Sequence, residues 1–275
     1  MVTQIKIPFP KLVGWKPTRE TLHAYSRVLS AIRAAFTPEQ PRFQHISLRL
    51  YTAGLTTTPI PHPADPKRNF ALSMDLRNHY ILLSTSDRDV QQFRMSEGLS
   101  ATELGEMLLE KLAELEIRGK VDKQLYADEK PRHYALDAAE RYFAALSHAG
   151  RIFEQFKAKL KGETDPVQLW PHQFDLSFAL LGNQQVKTLK GDTRSQILFG
   201  FATEHPGLPS TYFYASPTPF EEALTHKKLP KGAVWHTAVW QGALLPYAEV
   251  AEREDGEKKL VEFLQGAYKI EKVLI

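Results

Sequence analysis

Leu169-Trp170-Pro171-His172-Gln173-Phe174-Asp175-Leu176 has a counterpart near the start of the chain, Phe43-Gln44-His45-Ile46-Ser47-Leu48. Each stretch follows a long amphipathic helix pattern, sets a histidine where a strand pattern begins, and opens a block rich in alternating residues. That shared order points to two related halves. Short antiparallel strands covered by helices on one side need a second layer to bury their other face. The expected fold class is therefore α+β, with two pseudo-repeated helix–antiparallel strands–helix halves packed into one body.

Working outward, Leu22, Tyr25, Leu29, Ile32 and Phe36 recur at helical steps, which predicts a helix over 18–36 ended by Pro38 and Pro41. Ile46, Leu48 and Leu50 then alternate with His45, Ser47, Arg49 and Tyr51, the period of a strand within 43–53. A Thr- and Pro-rich loop from Gly54 to Pro66 follows, then strands through Phe70–Leu76 and Tyr80–Ser86 joined at Arg77-Asn78. Ser100-Ala101-Thr102-Glu103 is a capping box for a helix carrying Leu104, Leu108, Leu112 and Leu115, with Gly119 as its stop. Residues 121–136 read as a linker between halves 1–120 and 137–275, which could equally join in one domain 1–275. In the second half Asp137 caps a helix with Phe143, Leu146, Phe153, Phe156 and Leu160 inward, ended by Gly162. Strands are expected near 167–181, 195–203, 210–216 and 233–250, and a closing helix near 257–272.

Composition removes several classes of function. Across 275 residues, 43% hydrophobic and 24% charged content suits a folded core rather than disorder. The formal charge of +3 comes from 35 basic and 32 acidic residues spread along the chain. Lys157-Ala158-Lys159-Leu160-Lys161 is the densest basic stretch, and it sits where cations complement a helix C-terminus. No nucleic-acid partner is expected. The absence of cysteine excludes disulfides, zinc–thiolate sites, iron–sulfur clusters and cysteine nucleophiles. Met1-Val2-Thr3-Gln4-Ile5-Lys6 lacks the apolar core of a signal peptide, and no apolar run of about 18 residues occurs. The expectation is a cytoplasmic protein without a membrane partner.

No phosphate-binding or dinucleotide glycine loop is present, and no Gly-x-Ser-x-Gly nucleophile elbow. If 170–178 is one strand, His172 shares the inward face with Trp170, Phe174 and Phe178, while Asp175 faces the other way with Ser177. That arrangement disfavours a joint metal site, so no metal is expected, although His45 and His172 could bridge one across the halves with a carboxylate. The paired carboxylates Glu221-Glu222 and Glu252 with Glu254-Asp255 read as solvated surface. What remains is an aromatic and polar set. Tyr212 and Tyr214 alternate on one strand face, and Trp235 and Trp240 flank His236. With Trp170, His45, Arg49 and Tyr51 they suit a concave site of aromatic walls with few polar groups.

Collinear segments run along the chain: Trp15 with Thr21-Leu22-His23; Gly54-Leu55-Thr56-Thr57 with Pro59-Ile60-Pro61; Arg151 with Phe153 and Phe156; Pro166-Val167 with Trp170 to Leu176; Tyr212-Phe213-Tyr214 with Pro217; Gly242 with Leu245-Pro246-Tyr247; and Phe263-Leu264. On these, roughly from Trp15 to Tyr268, the chain resembles a family of uncharacterised, mostly bacterial proteins, domain-of-unknown-function family 5996. Gln173 departs from the second histidine or different aromatic that members often carry in the Trp-Pro-His segment, which weakens a paired-histidine site. The resemblance implies no established activity.

The resulting expectation is a small-ligand-binding or sensing module. Its site would use Trp170, His172, Tyr212, Tyr214, Trp235 and His236, with His45 and Arg49 as the counterpart in the other half. The alternatives are an enzyme, hydrolytic in kind, using His172 or His45 with Asp175, and a protein-interaction scaffold. Cofactor, ligand identity and oligomeric state are left open by the sequence.

Overall fold

The computed structural model describes residues 8–188, 191–205 and 207–275. It is an α+β fold of helices and two antiparallel sheets. The chain runs α1 (Lys16–Phe36), β1 (Arg49–Tyr51), β2 (Gly54–Thr56), β3 (Ile60–Pro61), β4 (Asn69–Asp75), β5 (Tyr80–Thr85), β6 (Val90–Arg94) and α2 (Ala101–Glu114). It continues through α3 (Leu136–Lys157), β7 (Glu163–Thr164), β8 (Gln168–Trp170), β9 (Asp175–Thr188), β10 (Gly191–Ala202), β11 (Tyr212–Thr218), β12 (Val234–His236), β13 (Gly242–Pro246) and α4 (Gly256–Glu271). Two compact units result. The first comprises Leu12–Phe143 with Gln168–Phe174, and the second Met1–Lys11, Ala144–Val167 and Asp175–Ile275.

In the first unit the strands order β1-β2-β4-β5-β6, with β3 also on β4. Alternation along β4 buries Phe70, Leu72 and Met74, and β5 adds Ile81 and Leu83. The helices supply Leu22, Leu29 and Ile32 from α1, and Leu104, Leu108 and Leu112 from α2. The capping box of α2 is formed: Ser100 Oγ accepts from the Glu103 amide and the Glu103 carboxylate accepts from the Ser100 amide. Gly105 is required by close approach, since a Cβ there would lie 2.4 Å from the Tyr126 ring.

In the second unit the antiparallel order is β12-β13-β11-β10-β9-β7. Register puts Leu176, Phe178, Ile197, Phe199, Phe201, Phe213 and Leu245 on one face. Phe153 and Phe156 of α3 pack there, against Phe178 at 5.9 and 6.4 Å between ring centres. Leu260, Phe263, Leu264 and Ala267 of α4 are buried with them. Phe9 is also fully buried. It stacks on His148 at 4.1 Å and meets Phe213 and Tyr247 edge-on, while its carbonyl accepts from the Glu252 amide. The opposite face carries Asp175, Ser177, Gly200, Ala202, Tyr212, Tyr214 and Leu244, a different and more polar set.

Local structure departs from expectation in several places. The strand expected from residue 43 begins later, because Pro41–Ile46 forms a 3-10 turn with Arg42 and Phe43 at positive φ (59° and 58°). The strand expected across 167–181 is broken by a turn at Pro171–Phe174, where Phe174 adopts φ 57° and donates to the Trp170 carbonyl at 2.7 Å. His172 is therefore exposed rather than inward-facing, and both Asp175 and Ser177 are buried. The Thr- and Pro-rich loop contains β2 and β3, β6 is an additional edge strand, and the stretch 233–250 divides into β12 and β13.

Candidate functional site

The polar face of the second sheet gathers an aromatic cluster around one carboxylate. Asp175 is the first residue of β9, opposite Ala202 of β10, and is 4% exposed. Gly200 lies between Ser177 and Tyr214 across the sheet. A Cβ on Gly200 would sit 2.3 Å from the Tyr214 ring, so the glycine is what allows the phenol to lie across β10 toward β9. Tyr214 Oη donates a hydrogen bond to Asp175 Oδ2. The other oxygen, Oδ1, is buried with no hydrogen-bond partner among the described residues.

Trp240, in the loop between β12 and β13, completes the cluster. Its indole stacks on Tyr212 with ring centres 5.8 Å apart and planes within 16°, and tilts against Tyr214 at 5.7 Å. His236 of β12 lies 4.7 Å from the same indole, and its Nε2 accepts from the Val239 amide at 3.3 Å. Ala202 and Leu244 are buried with the two tyrosines, and Leu198 and Leu208 pack at the margin.

Electrostatics here follow from burial. Removal from water pushes the Asp175 carboxyl up to about 6, offset in part by the Tyr214 hydroxyl and then by the charge of His205. Burial, then the Asp175 charge, holds the Tyr214 phenol well above its ordinary value. Tyr212 is pushed up to about 12, again chiefly by burial. His236 is shifted down by burial and by His205. The Asp175 carboxyl can therefore take up or release a proton near neutral pH while the Tyr214 phenol stays protonated.

The candidates from the sequence divide. Tyr212, Tyr214 and His236 meet in this cluster, and Asp175 anchors it. Trp235 does not join. It is adjacent to His236 on β12 and so faces the other way, its Nε1 donating to the Lys227 carbonyl at 2.9 Å and its ring edge toward Phe220. The indole in the cluster is Trp240, from the loop after β12. Trp170, His172, His45 and Arg49 belong to the first unit. There Trp170 is half-buried with its ring edge-on to exposed His172 at 6.1 Å. His45 is 8% exposed in the 3-10 turn, accepting from the Gln40 amide through Nδ1. Arg49 is half-buried on β1 opposite Thr56. His23, stacked on Phe174 at 5.4 Å, is pushed down to about 4 by burial and then by Arg19.

A groove of about 340 Å³ elsewhere on the second unit is lined by Lys161, Glu163, Arg194, Tyr268 and Lys272. Its Arg194 is committed to the Gly182 carbonyl and to Glu163 at 2.6 Å, and Lys272 sits over the Tyr268 ring. No group of three or more metal-ligating side chains occurs among the described residues. Nor is any described helix long and apolar enough to cross a membrane.

A family model described as a family of unknown function, DUF5996, matches residues 8–273. The chain belongs to the DUF5996 family. No curated protein and no solved structure matches it. In this DUF5996 chain, two of the segments that carry the family resemblance, Trp170 to Leu176 and Tyr212 to Tyr214, supply Asp175 and both cluster tyrosines. The fold of this chain thus sets one carboxylate oxygen without a partner among the described residues beside stacked aromatic rings.

Proposed function

We propose that this DUF5996 protein is a small-ligand-binding or sensing module whose site is the Asp175–Tyr214–Tyr212–Trp240–His236 cluster. The ligand class is a small organic molecule with a planar group to lie against the indole and phenols and a hydrogen-bond donor to meet Asp175 Oδ1. One observation carries this reading: a carboxylate oxygen buried without a partner among the described residues, beside an aromatic stack. Leaving such a group unmet costs about 1–3 kcal/mol, and a ligand donor would recover it.

Native mass spectrometry of the freshly purified protein, set against its denatured mass, tests the reading. Retained extra mass that disappears in Asp175→Asn supports it. Failure of any compound in a library of planar amines and amides to perturb Trp240 fluorescence, together with a clean apo mass, would sink it. A second reading, an enzyme, takes support from the same carboxyl, because a value near 6 suits proton transfer at neutral pH. Turnover of a bound compound, abolished in Asp175→Asn, would favour it.

A further inference from the structure

We propose that the groove of the second unit binds a small molecule carrying a phosphate-class polyanion, held by Lys161 and Lys272. The groove offers about 340 Å³, and a water takes about 30 Å³ of liquid, so the space suits a small organic molecule rather than a bare ion. Buried Leu180 and Leu181 of β9 give it apolar lining, and the two lysines that line it are exposed. A Cβ on Gly182 would sit 2.3 Å from Ser195 Oγ and 2.6 Å from the Ile275 Cβ, so glycine is what lets Ile275 line the groove beside β9.

Charge decides the ligand class. The charged side chains of the groove are Lys161, Glu163, Arg194 and Lys272. Glu163 and Arg194 cancel each other: Arg194 Nη1 donates to Glu163 Oε2 at 2.6 Å, and its Nε and Nη2 donate to the Gly182 carbonyl at 3.0 and 2.9 Å. That guanidinium is compensated and fixed, and serves as a wall. The two lysines are not compensated. Lys272 Nζ lies 5.6 Å from the centre of the Tyr268 ring, a contact without formal negative charge, and neither lysine has an ion pair among the described residues. Lys272 is the C-cap of α4 and faces that helix dipole, worth roughly half a charge. Lys161 lies past the end of α3 at Lys157, and the dipole effect falls off within the last turn. A terminal carboxylate at Ile275 would offset one ammonium and still leave the groove positive. Ammonium groups are compact charges with rotatable donors, which suit phosphate oxygens, and two of them favour a dianion over a monoanion. The groove shares no residue with the aromatic cluster, and the proposal stands whether or not that cluster binds a ligand.

The test is calorimetric titration of the full chain with pyrophosphate at low, fixed ionic strength, with acetate as the monoanion arm. The expected result is one saturable site, weakened roughly tenfold in Lys161→Ala and in Lys272→Ala and lost in the double variant. Both side chains are exposed, so circular dichroism and melting temperature should stay at the parent values. Lys159→Ala, exposed nearby but outside the lining, should bind as the parent does. Glu163→Gln reverses the sign: it removes the negative charge and releases Arg194, so pyrophosphate should bind several-fold more tightly. A flat titration of the parent overturns the proposal, as does unaltered binding in the double variant or weaker binding in Glu163→Gln. Equal weakening in Lys159→Ala overturns the groove in favour of diffuse surface charge. Acetate binding as tight as pyrophosphate overturns the dianion assignment. Asp175→Asn should leave pyrophosphate binding unchanged, so failure at the aromatic cluster and failure here are read separately.

Discussion

Glu271, in the last turn of α4, is fully buried, and burial pushes its carboxyl from 4.5 to about 8. Among the described residues only the backbone of Ala243 favours its charged form, and no charged side chain acts on it. The consequence for stability has a definite sign. A carboxyl raised in the folded state contributes stability that is complete below its unfolded value, near 4.5, and is lost as pH rises toward 8. Each tenfold change in proton affinity is worth about 1.4 kcal/mol, so the loss across that window is on the order of 3–5 kcal/mol. Glu271→Gln keeps the shape and removes the titration. Its buried amide costs about 1–3 kcal/mol at every pH, so the decisive quantity is how the difference from the parent changes with pH. Urea unfolding near the two ends of that window, about pH 5 and about pH 8.5, should show the variant gaining several kcal/mol relative to the parent at the higher pH. A difference that is the same at both ends would refute the assignment of a neutral, unpaired carboxyl at this position.

Three further outcomes are expected. Tyr214→Phe removes the hydrogen bond that favours the Asp175 carboxylate, so the carboxyl should titrate above 6, read from the carbon-13 shift of labelled aspartate. Gly200→Ala drives a methyl into the Tyr214 ring and should destabilise the protein by about 1–3 kcal/mol, with a changed Trp240 emission. Its effect should vanish when Tyr214 is truncated as well. Ser100→Ala opens the α2 capping box and should cost about 1 kcal/mol, visible as a lower urea midpoint.

Much of the fold is legible in the sequence because its signals are local. Helices α1, α2 and α4 announce themselves by apolar steps of three and four residues, and α2 also by Ser100 and Glu103. The β4–β5 hairpin shows plain alternation around Arg77-Asn78, where Asp75 accepts from both of those amides. The failures lie where aromatic residues take turn conformations. Phe43 and Phe174 both adopt positive φ, and neither is a residue that usually signals a turn. Reading 167–181 as one strand therefore turns His172 inward and Asp175 to the polar side. In the site, Tyr212 and Tyr214 are found by their period of two. Trp240 is picked out only as a neighbour of His236, in company with Trp235 which points elsewhere, and Gly200 is not picked out at all, since it matters only through a neighbour on the next strand. The bond between Asp175 and Tyr214, 39 residues apart, is a product of strand register that no local pattern encodes.

The buried position of Phe9 bears on the order in which the chain can mature. Pro10 is bonded through its carbonyl to the hydroxyl of Tyr247, 237 residues further along. A ribosome therefore delivers this segment long before it delivers the phenol, the Phe213 ring or the Glu252 amide that hold it. Contacts of such sequence separation are slow to form and leave apolar surface open while they wait. The nascent chain cannot complete the contacts of Phe9 until Glu252 has emerged, so closure of the second unit is a late event in the life of the chain. A stalled or truncated product would leave that aromatic ring as a point of attachment for chaperones or for other chains.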